Sequence, residues 1–128
     1  MEVKKKKMTL DMEKKQNNAL KHWITQKVSA LVLVPLLFWF LFIFKDFVYK
    51  DYNNKILWFQ DIKNSSLLAL FLLVALFHLR LGLTVVVEDY IHNIKIKNML
   101  LSSVSILCLL LSVFTVIVVL NLFMSNNV

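Results

Sequence analysis

The chain of 128 residues has few of the residues that punctuate compact soluble folds, with one glycine, one proline and one cysteine. This scarcity argues against a turn-rich all-β fold, because tight turns depend on glycine and proline. The single cysteine, Cys108, excludes an internal disulfide and a thiolate-ligated metal cluster within the chain. Hydrophobic residues instead make up 59% of the sequence, against about 45–50% in soluble domains. The composition favours an integral membrane protein over a soluble enzyme or a disulfide scaffold.

Positive charge is concentrated at one end of the chain. The net charge is +7, and eight of the fourteen lysines precede residue 28, whereas Asn98 to Val128 carries no charge. A nucleic-acid-binding protein would group its cations on one folded face, with aromatic residues between them. That pattern is absent, so we predict no nucleic-acid partner. Orientation in a membrane is the better explanation of the lysines.

Three stretches are long and apolar enough to span a lipid bilayer. A helix rises about 1.5 Å per residue and the bilayer core is about 30 Å thick, so about 20 residues are needed. The sequence predicts helices over about 26–48, 64–90 and 98–124. An open sheet in lipid would leave backbone groups unsatisfied, so we predict an all-α membrane protein with three transmembrane helices. Residues 1–20 are predicted to be a mobile basic arm, ahead of a three-helix anchor over 21–128.

Lysine placement predicts how these helices are oriented. Cytoplasmic loops of membrane proteins carry an excess of Lys and Arg. The N-terminal segment holds eight lysines and the loop after the second helix holds Lys95 and Lys97, while the four lysines of 45–63 are balanced by three aspartates. We therefore expect the N-terminus inside, on the cytoplasmic or mitochondrial matrix side, and the C-terminus outside.

A histidine, His78, lies near the middle of the second predicted helix. An imidazole at that depth can pack as a hydrogen-bonding residue, relay protons or bind a metal. At 100° per residue it shares a helix face with Gly82, Val85 and Asp89. Gly82 is the only glycine of the chain and would let a flat macrocycle or a neighbouring helix come close.

A haem bound by His78 would need its second axial ligand from another chain. Two imidazoles must face each other across one iron. His92 lies about 21 Å farther along a straight helix, and His22 lies at the headgroup end of the first helix. This chain would then supply one side of a shared haem site.

Polar residues close the second helix on the predicted inner side, in the run Glu88-Asp89-Tyr90-Ile91-His92. One interpretation is a solvated helix end with an interfacial tyrosine. The other is a quinone site, since a tyrosine hydroxyl beside carboxylates and a histidine could donate to a quinone carbonyl and provide a route for protons.

A second set of polar residues, His22, Lys27 and Ser29, lies at the start of the first predicted helix, on the same side of the membrane. Interfacial anchoring explains it, and the other interpretation places His22 and Lys27 at haem propionates or Ser29 against a ligand. Arg80 lies about 200° around the second helix from His78, so it is expected to face a different neighbour or to extend towards the headgroups.

Two motifs resemble those of a known family. Residues 22–30, HWITQKVSA, are similar to the H-W-x-x-Q-R-x-[ST]-A motif that opens the first helix of the small membrane-anchor subunit of succinate dehydrogenase. Residues 78–92, HLRLGLTVVVEDYIH, resemble the H-x-x-x-G-x-x-x-x-x-x-D-Y helix of the same subunit, which belongs to respiratory complex II. The resemblance covers residues 20–124 and departs from the family pattern at Lys27, where the family has arginine.

The resemblance implies a role for each matching residue. His78 matches the axial ligand of haem b, with the opposite histidine supplied by a larger cytochrome b subunit. Tyr90 matches the tyrosine that contacts ubiquinone, and Asp89 matches its acidic neighbour. His22 and Lys27 match residues near the haem propionates.

The resemblance also implies a function and partners. The chain is expected to be the membrane anchor of succinate:ubiquinone oxidoreductase, in a bacterial cytoplasmic membrane or the mitochondrial inner membrane. A flavoprotein subunit would oxidise succinate, and an iron–sulfur subunit would pass electrons to ubiquinone held partly by this chain. A quinol:fumarate reductase anchor is a close variant. The alternative from another class is a non-redox structural or assembly subunit in which His78 only packs.

Overall fold

The fold is all-helical across residues 1–125, the part of the chain that the computed structural model describes. The four helices in chain order are α1 (Glu2–Val48), α2 (Tyr52–Gln60), α3 (Ile62–Tyr90) and α4 (Ile94–Ser125). Three of them, α1, α3 and α4, are long and apolar enough to cross a membrane. The predicted all-α class with three membrane-spanning helices is therefore confirmed, while the orientation of the termini stays a prediction.

The first helix is much longer than its apolar segment. It begins at Glu2 rather than near residue 26 and continues through Pro35, so its 47 residues span about 70 Å. The basic arm over residues 1–20 is rich in Lys, Glu, Met and Leu, all good helix formers. Helical structure in the arm is thus explained by local propensity, and its mobility stays a prediction.

A short helix that the sequence analysis did not predict, α2, joins the first two long helices. It carries Trp58 and Phe59, whose rings contact Phe47 near the end of α1 at centroid distances of 5.2 Å and 5.4 Å. Edge-on ring contacts of this kind add to the burial of apolar area. The aromatic cluster holds the end of α1 against the connection to α3.

Side-chain oxygens cap the N-termini of the last two helices. Asp61 precedes α3, and its carboxylate accepts from the Lys63 backbone N–H at 3.1 Å and from the side-chain amide Nδ2 of Asn64 at 3.0 Å. Asn93 precedes α4 and accepts from the Lys95 N–H at 3.0 Å. Such caps satisfy backbone donors that have no partner inside the helix. Asp61 therefore caps α3 at its junction with α2, and Asn93 caps α4 in the short connection that follows α3.

Helix α3 is the central element, since it packs against α1, α2 and α4. Among the described residues only Cys108, Ser29 and Ser65 are buried, and most large apolar side chains lie on the outside of the bundle. Small residues at helix contacts and apolar residues on the outside are typical of membrane bundles, in which lipid replaces a hydrophobic core.

Candidate functional site

The predicted interior histidine is in contact with the first helix. His78 is half-buried on α3, and its ring nitrogen Nδ1 lies 2.8 Å from Oγ of Ser29 on α1. Ser29 is only 6% exposed, and its Oγ also donates to the Gln26 carbonyl at 2.8 Å. No other hydrogen bond of His78 occurs within residues 1–125, so Nε2 is left without a protein partner.

One turn away from this contact, α1 also approaches the only glycine. A Cβ built on Gly82 would lie 3.9 Å from Nε2 of Gln26, an ordinary van der Waals distance. The sequence predicts either a flat macrocycle or a neighbouring helix beside this face of α3, and the structure places helix α1 there. Because the space beside Gly82 is otherwise open within the described chain, a flat group from outside could also reach it.

His22 lies on the same face of α1 as Ser29, since seven residues make almost two full turns. Its Nε2 is buried and has no hydrogen-bond partner among the described residues. Buried polar atoms are nearly always satisfied, so an orphaned one needs a partner from elsewhere. A propionate or another group from outside the described chain fits this requirement.

The structure does not bring Lys27 to the same face. Its Nζ lies 3.9 Å from the ring centroid of Trp23, a cation–π contact along the helix. Lys27 is about 200° around α1 from Ser29, because two residues separate them. The two residues predicted near the propionates, His22 and Lys27, therefore occupy different sides of the helix.

The residues predicted at the quinone end lie together at the end of α3. Asp89 and Tyr90 are its last two residues, and Tyr90 is 77% exposed. Neither side chain has a hydrogen bond or an ion pair within the described residues. Their polar atoms are available to a ligand or to a neighbouring subunit.

Arg80 faces the other side of α3, as its angular offset from His78 predicts. It borders a cavity between α3 and α4 together with Ser105, Cys108 and Ser112. The structure thus places it against α4, away from the His78 contact.

A haem fits these residues only as a group shared with another chain. No cluster of three or more His, Cys, Asp or Glu side chains that could hold a metal is found in residues 1–125. His78 offers one unpartnered ring nitrogen, which suits one axial ligand of an iron whose equatorial ligands come from a porphyrin. The orphaned Nε2 of His22 lies about two turns along α1 from Ser29 and could contact a peripheral group of the haem.

The pairing of Ser29 with His78 is the feature that sequence reasoning missed. One interpretation of the sequence places Ser29 against a ligand, whereas in the structure its hydroxyl faces the histidine. The signal was present in the sequence as a small polar residue within the apolar part of the first helix. Its partner could not be chosen without the register of one helix against the other.

These features define a membrane protein with three helices long enough to span the bilayer, a half-buried histidine bonded across two of them, and a polar end to α3. Residues 4–119 match the family described as the succinate dehydrogenase/fumarate reductase transmembrane subunit, and the chain belongs to that family. The resemblance found in the two sequence motifs is thereby confirmed.

Individual relatives agree with this assignment. The chain is 32% identical over 102 residues to the succinate dehydrogenase hydrophobic membrane anchor subunit of Rickettsia prowazekii, covering 77% of this chain and 78% of the relative. It is 34% identical over 93 residues to the protein of the same description in Rickettsia typhi, covering 70% and 71%. A succinate dehydrogenase membrane anchor subunit of Reclinomonas americana is 27% identical over 79 residues, covering 59% and 66%. No solved structure matches the chain.

Proposed function

We propose that this chain anchors a succinate:ubiquinone oxidoreductase to the membrane and contributes to its haem b and ubiquinone sites. The observation that carries the proposal is His78, half-buried within α3 and bonded through Nδ1 to Ser29, with Nε2 unpartnered. Nε2 has no hydrogen-bond partner among the described residues, so it is available to a group from outside this chain. Family membership supports the anchor function.

In the proposed site, Nε2 of His78 would bind the iron of haem b, and the larger cytochrome b subunit would supply a second histidine. A bound haem b provides a one-electron carrier. His22 offers its unsatisfied Nε2 to a propionate. Lys27 lies on another side of α1, where its Nζ packs on the ring of Trp23, so it is the weaker candidate for a propionate contact.

Tyr90 and Asp89 form the quinone end of the chain. The Tyr90 hydroxyl can donate a hydrogen bond to a quinone carbonyl oxygen, which gains negative charge as the quinone is reduced. Such a bond strengthens when its acceptor becomes charged. Asp89 is adjacent in the chain and can pass protons from the aqueous side. The exposure of Tyr90 leaves its hydroxyl free for this role.

Partner subunits complete the function. A flavoprotein would oxidise succinate, an iron–sulfur subunit would carry the electrons, and the quinone end would face that subunit on the inner side. The apolar outside of the bundle provides surface for both lipid and the second anchor subunit. The same arrangement would serve a quinol:fumarate reductase, whose direction depends on the potential of the quinone.

Purification of the tagged chain in mild detergent tests this proposal. We expect a flavoprotein, an iron–sulfur protein and a second membrane subunit to co-purify, with succinate–quinone reductase activity and a haem b band in the reduced-minus-oxidised spectrum. A complex that lacks flavin and haem would contradict the proposal and favour the structural or assembly alternative.

A further inference from the structure

The hydroxyl of Ser29 contacts two groups at once. Its Oγ lies 2.8 Å from the Gln26 carbonyl oxygen and 2.8 Å from Nδ1 of His78. The side chain is 6% exposed, so little solvent competes for either contact. A serine hydroxyl has one hydrogen to donate and lone pairs with which to accept.

Counting hydrogens assigns the direction of both bonds. A carbonyl oxygen can only accept, so the hydrogen between Ser29 and Gln26 must be the serine hydrogen. That hydroxyl then has no second hydrogen for His78, and Nδ1 of His78 must carry the hydrogen between them. A neutral imidazole with its proton on Nδ1 has its lone pair on Nε2.

From this we infer that Ser29 is a positioning residue that holds His78 in the tautomer and ring orientation required for axial ligation through Nε2. The inference rests on the proposed function, because it takes Nε2 as the iron ligand. Residues that accept a hydrogen bond from a metal-bound histidine fix its tautomer and raise its basicity. Ser29 performs that task from a different helix. The packing of α1 against α3 therefore also determines the tautomer and orientation of the His78 ring.

Removal of the hydroxyl has two consequences that simple packing does not predict. Without an acceptor at Nδ1, the ring can place its proton on Nε2, the form that cannot bind iron. A bound imidazole also becomes a weaker electron donor, which favours the reduced iron. Ser29→Ala should therefore loosen the haem and move its midpoint potential to a more positive value.

The purified complex carrying Ser29→Ala tests these consequences. Haem transfer to an excess of apomyoglobin measures retention, and a spectroelectrochemical titration measures the midpoint potential. We expect haem affinity to fall about 10- to 100-fold, the usual effect of losing such a partner, together with the positive shift in potential. Flavin content, which reports assembly, should match that of the wild type.

A matched control is available at Ser65, which is 5% exposed and donates its hydroxyl hydrogen to the Phe59 carbonyl. Ser65→Ala removes an equally buried hydroxyl elsewhere and should change neither haem retention nor potential. If Ser29→Ala does not assemble, Ser29→Cys keeps a side chain of similar size with a weak acceptor and should show the same two changes.

The outcomes separate this inference from the proposed function. Wild-type haem retention and potential in the assembled Ser29 variants, with loss of haem in His78→Ala, would overturn the positioning role and leave the ligand in place. Retention of haem in His78→Ala would overturn the ligand assignment and the inference with it.

Discussion

His78 and Ser29, separated by 49 residues, meet at 2.8 Å through Nδ1 and Oγ, and this contact sets the register of α3 against α1. The two helices run antiparallel, so Tyr90, twelve residues beyond His78, lies level with about residue 17 of α1. His22 then lies about 7 Å deeper than Tyr90. The basic residues Lys14 and Lys15 accordingly lie at about the same level along α1 as the proposed quinone end.

Removing the hydroxyl of Tyr90 tests whether this residue contacts the quinone or only anchors the helix at the membrane interface. Tyr90→Phe keeps the ring but removes a hydrogen bond worth about 0.5–1.5 kcal/mol to a neutral acceptor and about 1.5–3 kcal/mol to a charged one. Succinate–quinone reductase activity should therefore fall by up to about 100-fold. Succinate oxidation with a dye that accepts electrons upstream of quinone should stay normal, as should haem content.

The matched control is Tyr52→Phe, since Tyr52 is also 77% exposed but begins α2, at the opposite end of α3. It should leave quinone reduction unchanged. Wild-type quinone reduction in Tyr90→Phe, or an equal loss of dye reduction, would assign Tyr90 to anchoring alone.

Labelling of single cysteines tests the orientation. In a Cys108→Ala background, an impermeant maleimide should label Met124→Cys and Asn53→Cys from outside intact cells. Thr9→Cys and Lys97→Cys should react only after lysis, because the excess of lysines keeps those segments inside. Labelling of Met124→Cys only after lysis would contradict both the topology and the placement of Tyr90.

The capping bond at the start of α3 predicts that two similar aspartates, Asp61 and Asp51, contribute differently to the free energy of unfolding. Asp61 accepts the Lys63 backbone N–H at 3.1 Å, whereas Asp51 precedes α2 without a side-chain bond to the backbone of that helix. Asp61→Ala should lower the free energy of unfolding in detergent by about 0.5–2 kcal/mol, and Asp51→Ala by less. Equal losses would show that the cap contributes nothing specific.

A single chain is expected not to retain haem. Of the other two histidines, His92 lies beyond the end of α3 and His22 lies about two turns along α1 from the contact of Ser29 with His78, so neither can meet His78 across one iron. Haem reconstitution of the isolated, monomeric chain should give no six-coordinate bis-histidine spectrum. Such a spectrum would contradict a site shared between two subunits.

The membrane-spanning helices and the interior histidine were predictable because apolar length and an isolated polar residue are local signals. The helical arm before residue 21 was not, since its charged helix formers give no apolar periodicity. Helix α2 was missed because nine residues between two apolar runs resemble a loop. The partnership of Ser29 and His78 required the relative register of two helices, which neither segment encodes alone.

The most direct test of the account is the haem b content per flavin in the purified complex carrying His78→Ala, compared with His92→Ala. His92 is exposed beyond the end of α3, so its variant controls for the loss of a histidine. The account predicts that the reduced-minus-oxidised haem b band disappears in His78→Ala and persists in His92→Ala, with the flavoprotein bound in both. An assembled His78→Ala complex with a wild-type haem band would contradict it.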